Sequence, residues 1–413
     1  MNIGVIGLGK LGCSMFAAFA ASGNLVFGYD INKNTRQKIK DRIEPVSETD
    51  LQKEINIGFD NYQIMDNPTQ VIEKSEVIYI IVPTPSLEDG TFDVKYLEQV
   101  LNGINEVKMD CANKLLVITS TVLPGDTRSK LISLVRNKKN NFSKIRFCYS
   151  PEFIALGSVL HDLKNPDFLL VGEEYPNSAE KHINAMMTII NDKDIPIRTM
   201  SIESAEMAKI SINSYITSKI SFANAIGLTS DCIENCSSKD VLNAIGSDSR
   251  IGNKYLSKGL GFGGPCFPRD NRAIQQVINK TVGLEYQLPI DNEKFNSKLP
   301  FYYSQKIQRI CEDEHISEIL IVGLSYKDGS YLLEESQSFA IALNLKKVFK
   351  VFYFDPDIIN TDQLNEIESF DIQSNVNDKL LLLNCSRDTK KLFSAKEILN
   401  HKEINFLELD IWK

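Results

Sequence analysis

The chain has 413 residues, with 46 Lys and Arg against 54 Asp and Glu and a formal net charge of -8. That length admits two or three domains, and the acid excess offers nothing to nucleic acid or to an anionic membrane surface. Hydrophobic residues make up 43% and charged residues 24%, an ordinary globular balance. No run approaches the roughly 18 apolar residues of a membrane span. The start, Met1-Asn2-Ile3-Gly4-Val5, lacks the charged segment and cleavage site of a secretory signal, so a cytoplasmic location is expected. Eight cysteines at irregular spacing argue for reduced thiols rather than a disulfide framework. Cys232 and Cys236 form a lone pair with no nearby histidine, so no metal is expected.

Asn2 to Ile6 read as a buried strand. Gly7-Leu8-Gly9-Lys10-Leu11-Gly12 follows, then a small-residue helix, Cys13 to Ser22, and a second strand, Leu25 to Tyr29, ending at Asp30. Strand, glycines, helix, strand and acid in register form a dinucleotide-binding signature. The first two glycines allow the tight turn and the approach of pyrophosphate, and the third allows helix–strand packing. Asp30 is placed to accept hydrogen bonds from ribose hydroxyls and to repel a 2′-phosphate, so NAD is expected over NADP; Lys33 and Arg36 are the opposing signal. Further strands are expected at Val77 to Val82, Leu115 to Thr119, Ile145 to Tyr149 and Phe168 to Gly172. Ligands in such sheets bind beyond the carboxyl ends of the strands, where Thr84, Ser120, Thr121 and Glu152 fall. Each of these, taken alone, is equally well an ordinary turn or cap residue.

From Ser201 to about Asn235 the chain reads as one long helix, with Ser201 as its cap. At 1.5 Å per residue it spans about 45–50 Å. Lys209 and Asn213 are four apart on one face and together suit a developing oxyanion. A short helix is expected at Val241 to Ile245. Then comes Gly259-Leu260-Gly261-Phe262-Gly263-Gly264-Pro265-Cys266-Phe267-Pro268-Arg269-Asp270. Glycines let a ligand approach closely, and Pro268 suits a helix start. Cys266 therefore falls just ahead of a helix N-terminus, where the dipole favours a thiolate, the nucleophile that covalent catalysis at an aldehyde needs. A helix from about Asn296 to Glu312 is expected with Pro300 in its first turn. The α/β pattern then restarts, with strands at Ile319 to Leu324, Val351 to Phe354, Leu380 to Leu383 and Phe406 to Leu409. The expected fold is α/β, two Rossmann-like domains joined by a long central helix. The expected domains are 1–200, 201–297 with the cysteine loop, and 298–413.

Nearly the whole chain resembles the UDP-glucose/GDP-mannose dehydrogenase family, and most resembles its UDP-glucose 6-dehydrogenases. The carriers are Gly261 to Asp270, Ser120-Thr121-Val122, Ser150-Pro151-Glu152-Phe153, Glu206 with Lys209 and Asn213, Arg250-Ile251-Gly252-Asn253-Lys254-Tyr255, and Gly323-Leu324-Ser325-Tyr326-Lys327. The resemblance implies NAD-dependent, four-electron oxidation of a nucleotide-sugar C6 alcohol to the uronate. It implies that Cys266 attacks the aldehyde to give a thiohemiacetal and then a thioester, with Lys209 and Asn213 on the oxyanions. Asp270 would orient water or tune Lys209, and Thr121 and Glu152 would handle water and protons near the nicotinamide. It further implies that Gly7, Gly9, Lys10, Leu11, Gly12, Asp30, Thr84, Thr121 and Glu152 hold the cofactor. Glu152, Phe153, Lys209, Asn213, Arg250, Tyr255, Phe262, Gly263 and Lys327 would hold a UDP-sugar. Arg250 resembles an arginine that reaches the neighbouring subunit, which implies a homodimer or larger. Two positions depart from the family pattern. Leu156 stands where a second glutamate precedes glycine, and Glu334 stands where an arginine helps bind the cofactor. The alternatives are a catalytically weak nucleotide-sugar-binding paralogue, or a dehydrogenase for a UDP-N-acetylhexosamine or GDP-mannose.

Overall fold

The computed structural model describes residues 1–412 apart from 105, 106, 139, 359–363, 365, 366, 372, 375, 377 and 378. The chain divides into two compact units, Met1–Ser211 and Ile212–Lys413.

The first unit is built on eight strands: β1 Asn2–Ile6, β2 Leu25–Tyr29, β3 Tyr62–Ile64, β4 Val77–Ile80, β5 Leu115–Ile118, β6 Arg146–Tyr149, β7 Leu169–Glu173 and β8 Ile197–Ser201. Their order is β3-β2-β1-β4-β5-β6-β7-β8. Neighbours run parallel except β6 and β7, which are antiparallel. The central strands are continuous apolar runs, Val-Ile-Tyr-Ile and Leu-Leu-Val-Ile, and every residue of both is buried, as expected where both faces of a parallel sheet are covered. Ile3, Val5, Val77 and Val117 feed one core, and Ile78, Ile80, Leu116 and Ile118 the other. β4 stops at Ile80, short of the expected Val82. The N–H and carbonyl of Val82 bond instead to Ser120 Oγ, at 3.0 and 2.7 Å. The strand order reverses at β1, between β2 and β4, which opens a crevice beyond the carboxyl ends.

The helix Ile202–Asp231 follows β8. Ser201 Oγ accepts from the Ser204 N–H at 3.2 Å and caps it. It ends before the expected Asn235, which takes a left-handed φ of 61°.

Among the described residues the second unit has a five-stranded, all-parallel sheet: β9 Glu318–Val322, β10 Lys350–Phe354, β11 Glu368–Ser369, β12 Lys379–Asn384 and β13 Asn405–Asp410, in the order β11-β10-β9-β12-β13. The helices Ser238–Ser247, Phe267–Val282 and Leu288–Asp313 precede it. The last of these corrects an expectation. It begins at Leu288, not Asn296, with Pro289 in its first turn and Pro300 inside it. Leu299, Tyr303, Ile307 and Cys311 are all buried in one core cluster. Their four-residue spacing keeps one apolar face packed and carries the helix through a proline that removes a backbone bond.

Candidate active site

In the first unit the glycine turn divides its labour by position. Gly7 has φ +93°, and a Cβ there would lie 2.1 Å from the Ile81 carbonyl oxygen; a Cβ on Gly12 would lie 1.9 Å from the Gly7 carbonyl oxygen. Those two glycines pack turn, strand and helix together. Among the described residues a Cβ on Gly9 would meet nothing within 4 Å. Gly9 is exposed and heads the helix Lys10–Ala21, whose first turn carries half-buried Lys10 and Leu11. First-turn N–H groups have no partner within their helix, and with the dipole they attract an anion. Asp30 Oδ2 accepts from the Leu8 N–H at 2.7 Å and Oδ1 from the Asn32 N–H at 2.8 Å, so the carboxylate stands beside the turn, half-buried. Arg36 donates to the Asp30 carbonyl at 2.5 Å. Open space over Gly9, flanked by a carboxylate, fits a dinucleotide.

Beyond β4, β5 and β6, the Thr84 hydroxyl donates to the Thr121 carbonyl at 2.7 Å. Lys209, from the long helix, is 7% exposed. Its Nζ donates to the Glu152 carbonyl at 2.7 Å and lies 4.2 Å from the centroid of the Phe153 ring. Among the described residues Glu152 Oε1 is buried without a hydrogen-bond partner. Burial pushes its carboxyl up to about 7, against the opposing charge of Lys209. Glu206, a turn earlier on the helix, had been given no role by the sequence. Its carboxylate accepts from the Gly125 N–H at 2.6 Å and the Thr127 N–H at 3.0 Å, holding the turn that follows Thr121. Burial pushes it up to about 7, and these bonds pull the other way.

In the second unit Cys266 is the exposed N-cap residue of the helix Phe267–Val282, with Pro268 in the first turn and Gly283 at its left-handed end. Cys13, Cys111, Cys148, Cys311 and Cys385 are buried by contrast, and none of the eight cysteines is in a disulfide. Asp270 is 0% exposed. Its Oδ2 accepts from Asn213 Nδ2 at 2.6 Å, and its Oδ1 from Arg269 Nε at 3.2 Å and from an Arg269 terminal nitrogen at 3.1 Å. Two of the loop glycines correct the expectation of ligand approach. A Cβ on Gly259 would strike the Trp412 ring at 2.1 Å and one on Gly264 the Tyr326 ring at 2.4 Å. Glycine there seats the loop on aromatic side chains. Phe262 is buried, and its N–H and carbonyl are both bonded to the Asn296 amide at 2.8 Å.

A pocket of about 600 Å³ lies in this unit, lined among others by Lys254, Tyr255, Gly263, Lys327, Arg387 and Trp412. It brings together Tyr255, Gly263 and Lys327, three of the residues named from sequence, while Phe262, Arg250 and Cys266 do not line it. Arg250 is exposed and paired with its neighbour Asp248 at 2.6 Å. Arg387, stacked 4.1 Å over Trp412, was missed. Both follow the carboxyl ends of strands, β12 and β13, the rule that found Thr84 and Thr121. Asp355 occupies the place after β10 that Asp30 occupies after β2. It is consumed internally by Leu324, Ser325 and Lys391, so it is a structural carboxylate.

Leu156 packs against the first core, and the N–H of Gly157 bonds Glu48 Oε2 at 2.9 Å. Glu334 is exposed, and its carbonyl accepts from the Gly264 N–H at 3.1 Å. Glu335 pairs with Arg272 at 3.2 Å. Among the described residues there is no cluster of three or more metal-ligating side chains, and no helix is long and apolar enough to cross a membrane.

A dinucleotide cradle at the carboxyl ends of a Rossmann-like sheet, with a second parallel α/β unit after it, defines an NAD-binding class of α/β protein. Residues 1–191 match the NAD binding domain of the UDP-glucose/GDP-mannose dehydrogenase family, and residues 203–298 its central domain. UDP-glucose 6-dehydrogenase TuaD of Bacillus subtilis (strain 168) is 30% identical over 331 residues, 80% of this chain and 70% of that one. GDP-mannose 6-dehydrogenase of Pseudomonas putida is 26% identical over 366 residues, 87% of this chain and 81% of that one. The fold is shared with a UDP-glucose dehydrogenase of Pyrobaculum islandicum, at TM-score 0.82, 23% identity and coverage of 100% of this chain and 94% of that one. The chain belongs to the UDP-glucose/GDP-mannose dehydrogenase family, and NAD is the cofactor of its first domain.

Proposed function

We propose that the chain oxidises the C6 alcohol of a nucleotide-sugar to the carboxylate in two two-electron steps, with UDP-glucose as the substrate. The observation that carries this reading is Cys266, exposed at the start of the helix Phe267–Val282, where the dipole favours a thiolate. Gly7, Gly9, Gly12 and Asp30 would hold NAD, which supplies the hydride acceptor. Cys266 Sγ attacks the C6 aldehyde carbon, forming a C–S bond and leaving negative charge on oxygen. Lys209 and Asn213 offset that charge. Loss of the second hydride from this carbon leaves a thioester, and water breaks the C–S bond to release the acid and the thiolate. Glu152, with a carboxyl near 7, is matched to proton transfer at neutral pH. Tyr255, Gly263 and Lys327 would contact the nucleotide-sugar. Arg250 would reach a second copy of the chain in a homodimer.

The test is NADH formed per sugar across UDP-glucose, a UDP-N-acetylhexosamine and GDP-mannose. Two NADH per acid with UDP-glucose is the expected result, and Cys266→Ser should abolish acid formation while NAD still binds. Full turnover by that variant would end the covalent reading. A catalytically weak binding paralogue is the second reading, favoured by exposed Glu334 where the family pattern has arginine. Nucleotide-sugar binding without NADH from any of the three sugars would select it.

A further inference from the structure

Lys391 takes no part in the function proposed above. It lies on the helix Thr389–His401, which follows β12, and is 4% exposed. Its Nζ is 2.7 Å from Asp355 Oδ1, 2.6 Å from Asp357 Oδ2 and 3.5 Å from Asp328 Oδ1. One ammonium thus faces three carboxylates.

Each carboxylate holds a different piece of backbone. Asp355 Oδ2 accepts from the Leu324 N–H at 2.9 Å, and from the Ser325 N–H at 3.0 Å and its hydroxyl at 2.9 Å. Asp357 Oδ2 accepts from the Gly329 N–H at 2.7 Å. Asp328 Oδ2 accepts from the N–H groups of Arg387 and Asp388, at 2.9 and 3.2 Å. The first two fix both ends of the loop that carries Tyr326, Lys327 and Asp328. The third ties that loop to the one carrying Arg387. All four of those side-chain-bearing residues line the pocket. Burial opposes a charged Lys391, yet the aspartates hold its ammonium above the ordinary lysine range. Lys391 in turn holds Asp355 below the ordinary carboxylate range although burial opposes this.

We infer that Lys391 is a positioning residue for a nucleotide diphosphate: it offsets part of the carboxylate charge in the pocket wall and locks the loops after β9 and β12 so that Lys327 and Arg387 meet an anion. Asp328 lines the pocket, and without Lys391 its charge, reinforced by Asp355 and Asp357, would repel a diphosphate. The inference rests on the reading that this pocket takes the nucleotide-sugar.

The test is calorimetric titration of the full chain with UDP, GDP and, separately, NAD. Failure of the wild type to bind either nucleotide diphosphate overturns the reading of the pocket and the inference with it. If the wild type binds one, Lys391→Met should weaken it at least tenfold and leave NAD binding unchanged. Lys391→Arg should restore most of the affinity. Adding Asp328→Asn to Lys391→Met should restore part of it, because that change removes the lining charge while the amide oxygen still accepts from the Arg387 and Asp388 N–H groups. Wild-type affinity in Lys391→Met, or no recovery in the double variant, overturns the inference. Asp328→Asn alone decides the matter if Lys391→Met does not fold. Lys391 offsets only one of the three carboxylate charges, so Asp328→Asn should tighten diphosphate binding by about threefold or more, and unchanged or weaker affinity would overturn the inference.

Discussion

Asn213 donates to the Asp270 carboxylate at 2.6 Å, and both residues are buried. A residue of the long helix thereby anchors the first turn of the helix that Cys266 begins. Asp270 also accepts from Arg269, so neither oxygen of this sealed carboxylate is idle. Asn213→Ala leaves Oδ2 without its donor. A hydrogen bond to a charged group contributes about 1.5–3 kcal/mol, and a loss of that size should appear in urea denaturation. Asn213→Asp should cost more, because it opposes two carboxylates at hydrogen-bond range. Wild-type midpoints in both variants would show that the pair does not hold the helix.

Gly9 and Gly12 separate binding from folding. A Cβ on Gly9 meets open space, while one on Gly12 lies 1.9 Å from the Gly7 carbonyl oxygen. Gly9→Ala should therefore melt like the wild type and bind NAD at least tenfold more weakly, as followed by quenching of NADH fluorescence. Gly12→Ala should lower the melting temperature as well. Tight NAD binding by Gly9→Ala would place the pyrophosphate elsewhere.

Glu152 links the site to pH. Burial pushes its carboxyl from the ordinary 4.5 up to about 7, so between those values the folded chain holds a proton that the unfolded chain has released. The contribution of this group to stability is complete below pH 4.5, falls as pH rises, and is lost above about 7. Glu152→Gln removes that dependence. Its stability relative to the wild type should rise from pH 5 to pH 8, on the order of 2 kcal/mol once partial exposure is allowed for. Chemical denaturation at the two pH values measures it, and parallel pH profiles would show the carboxyl to be unperturbed. Activity of the variant should fall at both.

Thiol chemistry reports on the cysteine helix directly. Cys266 and Cys232 are exposed and five other cysteines are buried. Iodoacetamide followed by peptide mass mapping should modify Cys266 several-fold faster than Cys232, because only Cys266 heads a long helix. Cys13, Cys111, Cys148, Cys311 and Cys385 should react only after unfolding. Equal rates at Cys266 and Cys232 would remove the case for an activated thiolate.

Local chemistry settled a large share of this protein from sequence. The register of β1, the glycine turn, β2 and Asp30 was readable because period, turn geometry and acid placement are all short-range. The start of the cysteine helix was readable too, because Pro268 and the glycines before it are backbone signals. The start of the helix Leu288–Asp313 was misplaced for the same reason. Pro289 and Pro300 give the same local signal, and only the buried face running through Leu299, Tyr303 and Ile307 distinguishes them.

The tertiary structure alone decided which side chains share a space. Arg387 and Trp412 meet Tyr255 and Lys327 in one pocket although the chain separates them by up to 157 residues. Gly259 and Gly264 proved to be seats for Trp412 and Tyr326. Glu206 and Lys391 acquired roles only through backbone and carboxylates distant in sequence. Burial and charge pairing depend on what the rest of the chain brings within a few ångströms, and spacing along the sequence carries no record of that.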